Sequence, residues 1–391
     1  MVFAANGFAF ANWAARLPAI RDHLHLSAGS IGRVLLALSV GSVALLPLSG
    51  AITRRLGPGS TVRTVAVIAA IGLTVVGLAP SVAVLAVGLA VMGGAVGLWD
   101  VAMNVEGADV ERVLARSIMP RFHAGFSLGT VAGAGLGSLA AGAGIPVRVH
   151  LPVVAVGTAV VGAAAVHWFL PRAVERALEE EESAKAARSG GRILAAWVEP
   201  RTLLIGLLVF GMAMAEGSAN DWLALAMVDG YGAAHALAAG GFGVFVTGMT
   251  LARLAGPAVL ARVDPVMVIR ASALLVVSGT GLVIAGAQIA GGSASVLRYL
   301  PALAGALAWG VGAAMGFPMG MTAAAADEEH SAARLAVVTT IGYTAFIAGP
   351  PLLGTFGQHV GVVWSLVGVC LAVLLALATA QVVRPVAQPV P

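Results

Sequence analysis

The sequence predicts an all-α membrane protein with twelve transmembrane helices in two pseudo-symmetric six-helix bundles. Three observations carry this. Of 391 residues, 59% are hydrophobic and only 10% are Asp, Glu, Lys or Arg, against about 25% charged in a soluble domain. The shortage of charge recurs in continuous apolar blocks of about 20 residues flanked by arginines, the length a helix needs to cross a bilayer. One long polar stretch divides these blocks six and six. The runs do not alternate, which excludes the strand pattern of a β-barrel.

In order, the spans cover about 1–17, 28–50, 62–79, 81–104, 120–144 and 149–170, then 202–226, 237–259, 265–287, 299–322, 333–355 and 360–383. Short links carry Pro or Gly, as at Ala79-Pro80 and Ile145-Pro146. The first span starts at Met1 and holds about 17 residues, the lower limit for crossing. Two readings stand: a start further upstream, or a short helix that thins the bilayer locally. A cleaved signal peptide does not fit, since no basic region precedes the apolar run. Residues 171–200 are different in kind: Glu179 to Glu182 is an acidic run, followed by Lys185, Arg188 and Arg192. The expected organisation is an N-terminal bundle over 1–170, a cytoplasmic linker over 171–200 and a C-terminal bundle over 201–391.

Arginine placement sets the expected orientation. If both termini are cytoplasmic, 16 of the 22 basic residues fall on that side and five on the other, with Arg253 inside a span. The net charge of +4 is spread over loops, unlike the single basic face of a nucleic-acid binder. The one cysteine, Cys370, permits neither a disulfide framework nor a Cys-based metal site. A phosphate-binding Gly-Lys-Ser/Thr loop is lacking, the histidines are scattered and the acids lie at different depths. An enzyme is therefore not expected, and neither is a cofactor.

Charges inside spans must face a cavity or a partner, since each costs at least about 2.5 kcal/mol at the bilayer centre. Glu216 lies 15 residues after Arg201, about 22 Å along its helix, and Asn220 extends its face at i+4. Glu216 is read either as a protonatable coupling carboxylate or as half of a structural ion pair with Arg16 or Arg253. Arg253, too deep to reach the surface, is expected to pair with Glu216 or Asp100. Asp221 and Trp222 are expected near the outer rim, where Trp commonly anchors.

Asp100 lies about 30 Å along span 4, with Asn104 on its face and His123 opening span 5. These form a proton-sensitive gate, or else Asp100 or Glu106 makes a structural bridge to the Arg54–Arg55 loop. Asn12, Trp13 and Arg16 fall toward the outer end of span 1. There Arg16 either binds an anionic or hydroxylated cargo or snorkels to the surface. Trp309, Thr339, Thr340 and Tyr343 offer hydrogen bonds and a stacking face for a sugar-like ligand, or packing. Gly129, Gly133 and Gly137, spaced by four, are expected to let helices approach closely. Gly349-Pro350-Pro351 is expected to kink or break span 11.

Weak internal repeats relate the halves. Ala11-Asn12-Trp13 recurs as Ala219-Asn220-Asp221-Trp222 with one residue inserted, and His123, Phe126 and Gly129 align with Tyr343, Phe346 and Gly349.

The loop Gly50-Ala51-Ile52-Thr53-Arg54-Arg55-Leu56-Gly57 resembles the signature of the major facilitator superfamily. Gly50, Arg55 and Gly57 match, while Arg54 replaces the signature aspartate, which puts the family's Asp-centred inner-gate contact in question. A narrower resemblance is to the subgroup of bacterial inner-membrane proteins that includes MosC. It rests on Asn12-Trp13-Ala14-Ala15-Arg16-Leu17-Pro18, Asp100-Val101-Ala102-Met103-Asn104, Phe122-His123-Ala124-Gly125-Phe126-Ser127-Leu128-Gly129 and Gly342-Tyr343 through Gly349-Pro350-Pro351. The resemblance implies two bundles about a central cavity and secondary transport of a small solute by alternating access, and Glu216, Asp100 and His123 motivate the expectation that it is proton-coupled. The resemblance also implies residence as a monomer in the lipid bilayer of the bacterial inner membrane. The polar and aromatic stripe suits a sugar or polyol. Efflux of drugs or metabolites by antiport stays open, as does a sensor that binds without transporting.

Overall fold

In hydrocarbon every backbone N–H and C=O must be satisfied within the chain, and helices achieve this segment by segment. A computed structural model describes residues 1–116, 118–174, 193–290, 296–326 and 330–384. Among these there is no β-strand. The twelve long helices are α1 (Val2–His23), α2 (Ala28–Leu56), α3 (Pro58–Leu78), α4 (Val82–Leu114), α5 (Met119–Gly142) and α6 (Val147–Ala165), then α7 (Pro200–Tyr231), α8 (His235–Leu260), α9 (Pro265–Ala290), α10 (Leu297–Ala325), α11 (Ser331–Val360) and α12 (Val362–Val383).

Their starts use local chemistry. Ser27 and Ser81 accept from the Ser30 and Val84 amides at 3.3 and 3.4 Å, capping α2 and α4. Proline opens α3 and α7, where its missing N–H removes nothing. The acidic run Glu179–Glu182 and its basic followers lie outside the described residues.

Eleven of the helices are long and apolar enough to cross a bilayer. The expected twelfth is α1, which has 22 residues, about 33 Å. Asn6, Asn12, Arg16, Arg21 and Asp22 make it less apolar. It runs past the expected end at 17 and through Pro18. Helix α11 likewise continues through Pro350 and Pro351. Of the expected kink or break, the break is absent there because the lost amide donors interrupt only a few bonds of a 30-residue helix held by its neighbours. The break falls instead in α10, between Ala313 and Gly316.

The chain separates into two compact units: Met1–Arg188 with Ala233–Gly243, and Ser189–Gly232 with Val244–Pro391. In the first, α1 packs on α5 and α6, α2 on α4, and α3 on α4 and α6. In the second, α7 packs on α11 and α12, and α9 on α10 and α12. There Gly310 of α10 faces the Phe245 carbonyl of α8. The second set is the first displaced by six helices, so the weak sequence repeat reflects a repeated packing plan.

The residue inserted between the two repeats has a visible consequence. Ala219–Leu223 forms a π-helical turn inside α7, and a turn closed i to i+5 holds one more residue than an α-turn. The insertion is thus absorbed without shifting the faces on either side. Both repeat tryptophans, Trp13 and Trp222, are buried. This corrects the rim-anchor expectation for Trp222, which packs inside its unit.

Large apolar residues face outward as well. On α6, Val149, Val153, Val156 and Val160 recur at three- and four-residue spacing and are all exposed. In water such a stripe would drive association, whereas in lipid it is the contact surface.

Candidate functional site

Helix α7 is enclosed by its neighbours along most of its length. Between Gly211 and Met227 only Glu216, Asn220 and Asp221 escape burial. They stand one turn apart, and the π-turn brings Asp221 beside Asn220. Glu216 sits at the middle of the 32-residue α7.

Arg253 of α8 meets Glu216 there. Its Nη2 donates to Glu216 Oε1 at 3.1 Å and to Oε2 at 2.9 Å. The two side chains keep 27% and 20% exposure, so the pair is only partly buried. Arg253 Nε also donates to the Ala314 carbonyl at 3.3 Å. That carbonyl lies at the break in α10, where the regular helical ladder is interrupted. One guanidinium therefore ties a carboxylate on α7 to an opened turn of α10. Of the expected partners for Arg253, the structure selects Glu216, and both are drawn to one depth.

Trp309 supports this junction. Its indole donates to the Ala215 carbonyl at 3.1 Å, next to Glu216 in sequence, and its ring meets Phe245 edge-on at 6.0 Å. It is fully buried, so it braces the site and presents no stacking face. Thr339 and Thr340 are turned to Met321 Sδ at 3.6 Å and to the Ala336 carbonyl at 2.7 Å. Tyr343 is half-buried beside Phe346, ring centroids 6.4 Å apart.

The candidates in the first unit fall into separate places. Asn104 Nδ2 donates to the Asp100 carbonyl at 2.8 Å and to Asp100 Oδ1 at 3.3 Å. His123 is exposed, with the Phe3 ring edge-on at 5.4 Å. Asn12 and Trp13 are buried, and Asn12 Nδ2 donates to the Phe8 carbonyl at 2.8 Å. Arg16 is also buried and donates to the Ile145 carbonyl at 2.7 Å, so it does not snorkel.

The loop with the altered signature is held by a residue the sequence did not single out. Arg172 Nη2 donates to the carbonyls of Arg54 and Arg55 at 2.8 and 3.3 Å. Gly57, at φ 82°, lies against the same guanidinium. Gly50 remains open, with only the Arg54 guanidinium nearby. Glu106 accepts the Leu170 amide at 2.8 Å. The loop is thus fastened through main-chain carbonyls, a contact that needs no aspartate.

A second contact missed in the sequence joins the start of α7 to α11. Arg334 donates through Nε and Nη2 to both oxygens of Glu199, each at 2.7 Å. Thr202 donates to the same carboxylate at 2.6 Å. Burial raises the Glu199 pKa, but the Arg334 and Thr202 hydrogen bonds and the Arg334 charge outweigh it and hold the group below its ordinary value. A depressed carboxylate stabilises the fold above its unfolded pKa, and that contribution disappears as pH falls through the folded value. Between about pH 5 and pH 3 the Tm of wild type should therefore drop more steeply than that of Glu199→Gln. Parallel melting curves would remove this role for Glu199.

The sequence profile of the Major Facilitator Superfamily matches residues 1–318. The chain belongs to the major facilitator superfamily. An uncharacterised transporter, y4wD, of Sinorhizobium fredii is 31% identical over 360 residues, covering 91% of this chain and 89% of that protein. An uncharacterised MFS-type transporter of Yersinia pestis is 30% identical over 362 residues, with 92% and 88% covered. Membrane protein MosC of Rhizobium meliloti is 24% identical over 365 residues, with 92% and 83% covered. These relatives support the narrower resemblance read from the motifs.

Among solved structures, a mutant of the nucleoside transporter NupG matches with a TM-score of 0.77 at 13% identity, over 98% of this chain and 99% of that one. A bacterial homologue of the human lysosomal transporter Spinster, inward-facing and unoccupied, matches with a TM-score of 0.71 at 13% identity, over 98% and 95%. At that identity the likeness speaks for the fold alone. This major facilitator protein is a membrane transporter, and the superfamily works by alternating access.

Proposed function

We propose that this transporter carries a small polar solute across the bacterial inner membrane, both termini cytoplasmic, and couples its movement to protons at the Glu216–Arg253 pair. The supporting observation is that Glu216, Asn220 and Asp221 alone escape burial along the central stretch of α7. Of these, Glu216 holds a cation that also grips the break in α10. Protonating Glu216 removes the negative half of the pair. Arg253 then keeps only its bond to the Ala314 carbonyl, and the tie between α7 and α10 weakens. Proton occupancy would thereby bias two arrangements of one unit, as coupling requires.

The neighbouring Asn220 amide and Asp221 carboxyl can hydrogen-bond a hydroxylated solute, so sugars and polyols head the cargo panel. The fold shared with a nucleoside transporter adds nucleosides to it. The protein acts as a monomer with no cofactor in this reading.

The test is a thermal-shift screen of this panel, followed by flux in proteoliposomes under an imposed pH gradient. Wild type should accumulate the hit solute in a gradient-dependent way. Glu216→Gln should still exchange it but lose the response to the gradient. A Glu216→Gln protein that concentrates solute as wild type does would rule out Glu216 as the coupling group.

A further inference from the structure

A second polar site lies in the first unit, away from the Glu216 pair. The C-terminal part of α1, the end of α3 and the α5–α6 link line an open cleft of about 440 Å³, within the size range of small-molecule sites, about 300–1,000 Å³. Arg16, His23, Arg148 and His235 line it together with apolar residues and main chain. Every ionisable side chain in this lining is basic.

Arg16 is the anomaly. It is only 4% exposed, and its one protein acceptor is the neutral Ile145 carbonyl. Its Nε and Nη1 are buried and have no hydrogen-bond partner, and no carboxylate pairs with it among the described residues. His150 of α6 is 6% exposed with both ring nitrogens equally unpartnered. The nearest acid by sequence, Asp22, is occupied by Arg21 at 2.9 Å and by His235 at 2.8 Å. A buried guanidinium is ordinarily paired, because desolvation without a counter-charge costs several kcal/mol. Here the donors and the charge are present while, among the described residues, no carboxylate reaches Arg16.

We propose that this cleft is a binding site for a small oxyanion, a carboxylate or phosphate group, held by Arg16 with Arg148 and His23. Guanidinium is suited to both groups because its planar donors match their oxygens. The inference does not depend on which solute crosses the membrane or on Glu216.

The experiment is thermal unfolding of the purified full-length protein in detergent, at constant ionic strength set with chloride. Inorganic phosphate and succinate are titrated as free probes. A parallel series uses nanodiscs of phosphatidylcholine alone or with phosphatidylglycerol, so that a headgroup phosphate is distinguished from a soluble one. The expected result is a saturable rise of several degrees in wild-type Tm with at least one of these oxyanions, reduced in Arg16→Lys and lost in Arg16→Met. Without oxyanion, Arg16→Met should melt at or above wild type, since it removes an uncompensated charge. A wild-type Tm indifferent to all of these probes would overturn the proposal. So would a shift that Arg16→Met retains, or an Arg16→Met protein that is destabilised yet still responds.

Discussion

Arg253→Met should lower the stability of the protein by about 3 kcal/mol, and Arg253→Met combined with Glu216→Gln should recover most of that loss. Removing one member of a buried ion pair typically costs about 3–5 kcal/mol, because the remaining charge is left uncompensated. The partial exposure of this pair, 27% and 20%, puts the expected value at the lower end. The single variant strands the Glu216 carboxylate at the middle of α7. It also strips the Ala314 carbonyl of its donor at the break in α10. Methionine keeps much of the volume, so packing loss is small. Neutralising Glu216 in the double variant removes the stranded charge and leaves only the weaker carbonyl defect. A double-mutant cycle from thermal or denaturant unfolding measures the coupling. A double variant as unstable as Arg253→Met alone would show that the pair is not what holds this junction.

The bundle was legible because lipid imposes rules that sequence displays directly. Continuous apolar runs, arginine-marked loops and one polar interruption gave twelve helices in order. Boundaries were less legible. Helix α4 runs ten residues beyond its expected end at 104, because Glu106, Asp109, Glu111 and Arg112 read as loop by hydropathy yet continue the backbone ladder. Pro18, Arg21 and Asp22 have the same effect in α1, whose sequence reads as ending at 17 while the helix runs to His23.

Within the site, the sequence identified Glu216 and Arg253 as charges that need partners, and their pairing was among the options. It could not supply the Ala314 carbonyl, since a main-chain acceptor becomes available only where α10 opens. For the same reason Arg172 escaped notice: its targets are carbonyls of Arg54 and Arg55, which carry no side-chain signature. For Trp309 the sequence leaves a stacking face and packing open, and the structure shows packing. An aromatic ring within a span looks alike in sequence whether it lines a cavity or packs against Phe245 and Ala215. The inserted residue near Asp221 was visible as a gap between repeats, and its physical meaning, a widened turn, required the backbone.

The contact between α1 and α5 offers the sharpest contrast between neighbouring positions. At Gly129 an added Cβ would overlap the Ala4 carbonyl oxygen, and at Gly133 it would come within 2.5 Å of the Phe8 carbonyl oxygen. These obstacles are backbone atoms of an adjoining helix, so no rotamer change relieves them and α1 itself must move. That movement would disturb the buried Asn12, Trp13 and Arg16 together. At Gly135, two residues along the same helix from Gly133, nothing lies within 4 Å of the added atom. Alanine there relieves the entropic penalty of glycine in a helix, about 0.5–1 kcal/mol. The same substitution is therefore expected to change sign along one helix. Gly129→Ala should destabilise by about 1–3 kcal/mol, the usual cost of overpacking, whereas Gly135→Ala should be neutral to stabilising. Melting temperatures of the two variants in the same detergent decide it. Equal shifts of the same sign would mean that the close approach of α1 and α5 is not what the glycines at 129 and 133 provide.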